Sequence, residues 1–370
     1  MIIGVPKEIK PQEYRVGMTP SGASALVSRG HRVLIERGAG VEAGYPDEEY
    51  ERAGASVAER EEVWSAPDLV VKVKEPLPEE YPFLREGLTL FTFLHLAAVP
   101  DLVPHLLEKK VTAIAYETVT DASRGLPLLK PMSEIAGALS VQVGARGLEK
   151  SCGGRGILLA GLPEVRPGKV LIVGAGVSGT MAARLATGIG ADVTVLDLDP
   201  ARLERVRDIT GGKAKTAISN EESLSETLVE SDLVILAVLI PGKRAPVLVT
   251  EEMVKAMKRG ACIVDISIDQ GGAAETSRPT THADPYYLTH GVVHYCVANI
   301  PSAVARTSTK SLTAMTLPFI IEMAEKGVVP ALRENSHLRD GLNTFAGRVT
   351  HPGVAESLGY NFHEPEALFP

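Results

Sequence analysis

Cysteine is scarce in this 370-residue chain, and Cys152, Cys262 and Cys296 are far apart and outside any C-x-x-C pattern. That excludes a disulfide framework and a cysteine-based zinc site, and points to reduced thiols in a cytoplasmic protein. Positive charge is in deficit: 38 Lys and Arg against 46 Asp and Glu leave a net charge of −8. Such a chain has no electrostatic footprint for nucleic acid or an anionic membrane. No apolar run approaches the ~20 residues of a membrane span. The opening MIIGVPKEIK meets Lys7 and Glu8 before the apolar core of a signal peptide can form. Only five Asn and three Gln occur, a scarcity associated with heat-adapted sources. H-E-x-x-H, G-x-S-x-G and P-loop patterns are lacking too.

What is present is a glycine-rich turn at the centre of the chain, in KVLIVGAGVSGTMAARLA, residues 169–186. Four apolar residues, Val170 to Val173, lead into Gly174, Gly176 and Gly179, then into a helical pattern carried by Val177, Met181 and Leu185. The G-x-G-x-x-G spacing serves a tight turn, a close approach of backbone to pyrophosphate, and tight packing of helix on strand. The helix start, with Val177 and Ser178, offers N–H groups to phosphate. A second strand, Val193 to Leu196, ends in Asp197, 23 residues after Gly174, near the spacing of an acid that accepts ribose hydroxyls. An anion there repels a 2′-phosphate and points to NAD rather than NADP. Arg202 and Arg205 follow in a helix opened by Asp199 and Pro200, either facing water or meeting a phosphate.

Around this centre, short apolar runs alternate with helical patterns: MIIGV, a helix from Pro20 capped by Thr19, RVLIE, a helix from Asp47, LVVKV, LTLFTFL, a helix near Pro100, and VTAIAYE. The alternation resumes after Asp197 with LVILAV, a helix from Thr250 to Gly260, ACIVDIS, and VVHYCV as the last strand. The expected fold is α/β, with two doubly wound parallel-sheet, Rossmann-like domains and an interdomain cleft. Residues 1–131 plus 305–370 form a discontinuous substrate domain. Residues 132–304 form the NAD-binding domain, entered through a long helix, 133–150, with Ser133 as its cap.

In doubly wound sheets ligands sit at the carboxyl ends of strands, and four ionisable residues stand there. Arg15 follows the first strand, Lys74 ends LVVKVK, His95 ends LTLFTFLH and Asp269 ends CIVDISID. Each has a plainer alternative. Lys72 and Lys74 alternate with valines, as on the solvated face of an edge strand. His95 could be a core histidine, Asp269 a turn former before Gln270, Gly271 and Gly272, and Arg15 a surface partner of Glu13. His290 and His294 have the i, i+4 spacing of a helical metal pair, with His282 nearby, but lie on a strand pattern, so no metal is expected.

The motifs GVPKEIKPQEYRVGMTP, KVKEP, FLHLA, AYETV, DISIDQGG and NIPSAVARTSTKSLTAMTLPF, in this order around the glycine turn, resemble the alanine dehydrogenase/pyridine nucleotide transhydrogenase family from end to end. One departure is Ala305, where the family often has proline. The resemblance implies an NAD-dependent enzyme that interconverts L-alanine with pyruvate and ammonium, in a cytoplasmic homohexamer. Arg15 and Lys74 would bind the substrate carboxylate, His95 would be the acid/base group, and Asp269 would assist proton transfer. Met132, Ser133 and Asn299 would lie near the nicotinamide and Ser219 near the adenosine. Val177, Ser178, Arg202, Val238, Leu239, Ile266, Val297 and Ala298 complete the nucleotide contacts it implies. The transhydrogenase reading, a coupling module that binds NADH without turnover, is weakened because the chain runs to Pro370 with no membrane segment. A saccharopine-type dehydrogenase is a more distant resemblance.

Overall fold

Runs of β-branched and apolar residues become parallel strands where helices cover both faces of the sheet, and this chain builds two such sheets. The computed structural model describes residues 1–238 and 245–369. By their internal contacts they form two compact units, Met1–Met132 with Ser302–Pro370, and Ser133–Pro301. The sequence reading sets the corresponding boundaries at 131/132 and 304/305.

In the first unit, β1 (Ile2–Val5), β2 (Arg32–Glu36), β3 (Ser56–Ala58), β4 (Leu69–Val71), β5 (Thr89–Thr92) and β6 (Thr112–Ala115) lie in the order β3-β2-β1-β4-β5-β6, all parallel. The second unit holds β7 (Lys169–Val173), β8 (Asp192–Asp197), β9 (Lys215–Ile218), β10 (Leu233–Leu236), β11 (Cys262–Asp265), β12 (Tyr286–Thr289) and β13 (Val292–Tyr295). Their order is β9-β8-β7-β10-β11-β13-β12. Finally β14 (Leu342–Phe345) and β15 (Arg348–Val349) return to the first sheet beside β6.

Each sheet is therefore doubly wound, with its direction of winding reversing beside β1 in one unit and β7 in the other. Both sheets are dominated by parallel pairs, with antiparallel strands at the edges. β12 runs antiparallel to β13, and β14 antiparallel to β6 and β15. The first of these hairpins turns on His290 and Gly291, both at positive φ (53° and 78°), a geometry suited to a two-residue loop. VVHYCV is not the last strand.

Local capping follows the residues. Thr19 accepts a hydrogen bond from the Gly22 N–H with Pro20 in first position, so the helix Pro20–Val27 starts where expected. Thr250 caps Glu251–Ala256 by accepting from the Met253 N–H, but that helix stops before Gly260. The helix expected over 133–150 spans Lys130–Gly147 instead. Its start is set by the turn in which Lys130 N–H donates to the Leu126 carbonyl, so Ser133 lies inside the first turn and is not the cap. The boundary between the two units falls within this helix. A side chain at Gly137 would sit 2.1 Å from the Ser178 carbonyl oxygen, so the absent Cβ lets this helix approach the helix Val177–Gly188 closely.

Candidate active site

The glycine turn sits at the carboxyl end of β7. Gly174 adopts φ 102°, open to glycine and costly for other residues. A Cβ at Gly179 would lie 1.7 Å from the Gly174 carbonyl oxygen, so this glycine permits the helix to begin against the strand. A Cβ at Gly176 would meet nothing within 4 Å, which leaves open space beside the backbone. The helix Val177–Gly188 has Gly176 as N-cap and no side-chain cap bond, and Val177 is exposed at its first position. Uncapped N–H groups next to open space fit a dinucleotide pyrophosphate.

Asp197 ends β8 beside this turn. Its Oδ2 accepts from Ala175 N–H at 2.6 Å and its Oδ1 from Asp199 N–H at 2.8 Å, while Ser219 N–H donates to its carbonyl. The carboxylate thus braces the turn, and each oxygen retains a second lone pair suited to a ribose hydroxyl. Arg202 lies in the next helix, exposed and 3.5 Å from the Asp199 carboxylate.

At the ends of β10, β11 and β13 the remaining residues of this unit come together. Val238 is tied to the turn Ile266–Gln270 through Ser267, whose hydroxyl donates to the Val238 carbonyl at 2.8 Å and accepts from its N–H at 3.1 Å. Asp269 is exposed in that turn and accepts from Asn299 N–H at 3.3 and 3.4 Å. Asn299 has φ 61°, uncommon outside glycine. Val297 is buried and Ala298 exposed just before it. Leu239 lies outside the described residues.

The three histidines considered for a metal go to different partners. His282 meets the Asn299 carbonyl, His290 the Glu251 carboxylate, and His294 the Thr276 hydroxyl, with burial pushing His294 down to about 4. Among the described residues no group of three or more His, Cys, Asp or Glu is placed to hold a metal ion.

In the first unit, Arg15 is 2% exposed. Its Nε donates to Glu13 Oε1 at 2.7 Å, its Nη2 to Glu13 Oε2 at 2.6 Å, and its Nη1 meets Met132 Sδ at 3.0 Å. The pairing with Glu13 exists, but it is buried and bidentate, not the surface pair considered from sequence. The loop carrying Arg15 is fixed by the C-terminal segment: Tyr14 N–H donates to Ser302 Oγ and Val16 N–H to Thr309 Oγ1. Two residues of the motif NIPSAVARTST are accounted for in this way.

His95 follows β5 with φ 47° and a side chain 41% exposed, which removes the core-histidine alternative. Its ring stacks on Phe93, with centroids 5.7 Å apart and planes 1° from parallel. Glu117, within the AYETV motif but given no role there, accepts the His95 N–H at 2.6 Å and the Leu94 N–H, and its Oε1 lies 3.9 Å from His95 Nδ1.

The edge-strand alternative for Lys72 also fails. β4 lies between β1 and β5, and Lys72 is fully buried, its Nζ 2.6 Å from Glu80 and 3.4 Å from Glu8. Burial alone would lower its pKa; the two carboxylates outweigh that and raise it. Glu8 is pushed up to about 7, chiefly by burial and against the attraction of Lys72, with Glu13 and Glu80 adding repulsion. Lys74, two residues on, is half-buried. The pattern of the sequence does not mark Glu8 or Glu80: Glu8 follows β1 in a loop and Glu80 lies in the Pro-rich stretch after β4.

Known proteins resemble the chain along its whole length. The family model for the alanine dehydrogenase/PNT N-terminal domain matches residues 4–136, and that for the C-terminal domain matches residues 140–352. The chain is 58% identical over 364 residues to an alanine dehydrogenase of Bacillus subtilis, covering 98% of this chain and 96% of the relative. It is 52% identical to an alanine dehydrogenase of Halomonas elongata, over the full length of both. A solved L-alanine dehydrogenase superposes with a TM-score of 0.94 at 49% identity, covering 97% of this chain and 99% of that one. A transhydrogenase from Sinorhizobium meliloti superposes at 0.84 with 26% identity, covering 95% of this chain and all of that one. With both of its domain models matched in order and relatives aligned end to end, the chain belongs to the alanine dehydrogenase/PNT family.

Proposed function

We propose that the chain is an NAD-dependent L-alanine dehydrogenase, interconverting L-alanine with pyruvate and ammonium. The observation that carries this reading is the chain-long likeness, at 52 to 58% identity, to proteins named alanine dehydrogenase. The residues supply a consistent chemistry. Arg15 and Lys74 bind the substrate carboxylate, each charge-assisted bond contributing about 1.5–3 kcal/mol. Glu13 fixes the guanidinium plane, and the thioether of Met132 is a weak acceptor that a carboxylate displaces readily.

Bound NAD supplies the hydride acceptor. As hydride leaves the α-carbon and water adds to the imine, His95 takes the proton from water and returns one to the departing nitrogen, a task suited to an imidazole at neutral pH. Asp269 assists that transfer. Gly174, Gly176, Gly179, Val177 and Ser178 cradle the pyrophosphate; Asp197, Arg202 and Ser219 serve the adenosine. Met132, Ser133, Val238, Ile266, Val297, Ala298 and Asn299 serve the nicotinamide side. The reading extends to a cytoplasmic homohexamer, which a native mass measurement checks.

The test is NADH formation with a panel of L-amino acids, run beside NADP and beside pyruvate with ammonium. Turnover concentrated on alanine with NAD is expected, and His95→Ala should lower it about 100-fold or more while NADH still binds. NADH binding with no amino acid oxidised would move the reading to a coupling module of the transhydrogenase kind.

A further inference from the structure

The peptide of Lys74 is gripped from both sides by buried groups, one in the loop after β1 and one at the end of β5. On its N–H side, Glu8 Oε1 accepts from Val73 N–H at 2.6 Å and from Lys74 N–H at 3.3 Å. On its carbonyl side, Thr92 Oγ1 donates to the Lys74 oxygen at 2.9 Å, and Thr92 is fully buried at the end of β5. Glu8 is itself held by Lys72, and Lys72 by Glu80, whose other oxygen accepts the Leu77 N–H at 2.9 Å. The segment from Lys72 to Leu77 is therefore fastened on both sides of Lys74 by one buried chain of charges.

These groups sit at the reversal of winding between β1 and β4, where the doubly wound frame places ligand-binding loops. A buried carboxylate that spends its lone pairs on two successive backbone N–H groups is an expensive way to end a strand. A water or a neutral side chain would satisfy the same donors at lower cost. What this side chain adds is stiffness, because one oxygen holds two successive N–H groups while the other is held by Lys72.

We infer that Glu8 and Thr92 are positioning residues for Lys74, and that their grip on its peptide sets how well the ammonium meets the substrate carboxylate. The inference rests on the reading that Lys74 binds that carboxylate. Neither residue is given contact with substrate; both act through the Lys74 backbone.

The experiment is a pair of double-mutant cycles on the full-length protein, Glu8→Gln with Lys74→Ala and Thr92→Val with Lys74→Ala. The readouts are KM for pyruvate, kcat and the dissociation constant of NADH. Glu8→Gln keeps an acceptor of the same shape and leaves the Lys72–Glu80 pair neutral, and Thr92→Val keeps the volume. Each alone should raise KM for pyruvate about fivefold, with kcat and NADH binding within about twofold. In the Lys74→Ala background the same substitutions should leave KM unchanged, since the group they position is gone.

Additive effects in both cycles, or an unchanged KM in both single variants, overturn the inference while leaving the role of Lys74 intact. If Lys74→Ala alone fails to raise KM, the carboxylate reading falls and the inference with it, a pattern distinct from the first two. Should Glu8→Gln not fold, the Thr92→Val cycle decides alone, because its readouts need no change of buried charge.

Discussion

Glu8 shows at the scale of one residue how the loop at Val73 and Lys74 is held at a cost to the fold. Its carboxyl keeps a proton up to about pH 7 when folded, against an ordinary value of 4.5, mainly because burial disfavours the ion. Between those two values the folded chain holds more protons than the unfolded one, so this contribution to stability is complete below about pH 4.5 and is lost as pH rises toward 7. The slope is on the order of 1 kcal/mol per pH unit. Melting wild type and Glu8→Gln from pH 4.5 to 8 should show their difference shifting in favour of the variant as pH rises. A difference that stays constant across that range would mean Glu8 is ionised throughout.

Residue by residue, the legibility of the site follows the range of the forces involved. The glycine turn was readable because its constraints are local: φ at Gly174 and the space beside Gly179 are set by neighbours a few positions away. The state of Lys72 was not readable, because K-V-K looks the same on a solvated edge as in a central strand. Only Glu8, 64 residues earlier in sequence, and Glu80 decide between them. Likewise Arg15 and Glu13 were seen as neighbours, but their burial depends on Met132, Ser302 and Thr309.

Among the elements, strands built from apolar runs in the middle of a sheet were legible, and edges were not. β9 carries the residues Lys215 to Ile218, mostly exposed, and no apolar run marks it. β14 pairs antiparallel with β6, more than 200 residues earlier, and carries β15 with it on its other side, a relation that periodicity does not show. The turn between β7 and its helix allows a sharper test. Gly179→Ala places a Cβ 1.7 Å from the Gly174 carbonyl oxygen, and the fixed backbone cannot give way. It should cost about 2–4 kcal/mol, read as a fall in melting temperature. Gly176→Ala meets nothing within 4 Å and should melt within about 2 °C of wild type, yet weaken NADH binding about tenfold or more by occupying the space the pyrophosphate needs. Equal effects of both on melting and on binding would remove the distinction between a packing glycine and a ligand-facing one.

For the whole molecule the organising fact is that one unit is contiguous and the other is not. Ser133–Pro301 has its own sheet and a buried core that includes Leu171, Val234, Leu236 and Ile263. A fragment spanning residues 130–301 should fold and bind NADH without oxidising alanine, as circular dichroism and NADH fluorescence would report. A fragment without ordered structure would show that the second unit depends on the first.

The first unit closes only when chain from before and after the second unit meets, since Tyr14 and Val16 wait for Ser302 and Thr309, and β6 for β14. On a ribosome adding about 5–20 residues per second, the middle of this chain is complete several seconds before the last sixty-odd residues emerge. During that interval β6 is an unpaired edge ending in Ala113, Ile114 and Ala115, the kind of surface to which nascent chains adhere. Synthesis itself thus imposes an order in which the contiguous unit is finished first and the discontinuous one is sealed last.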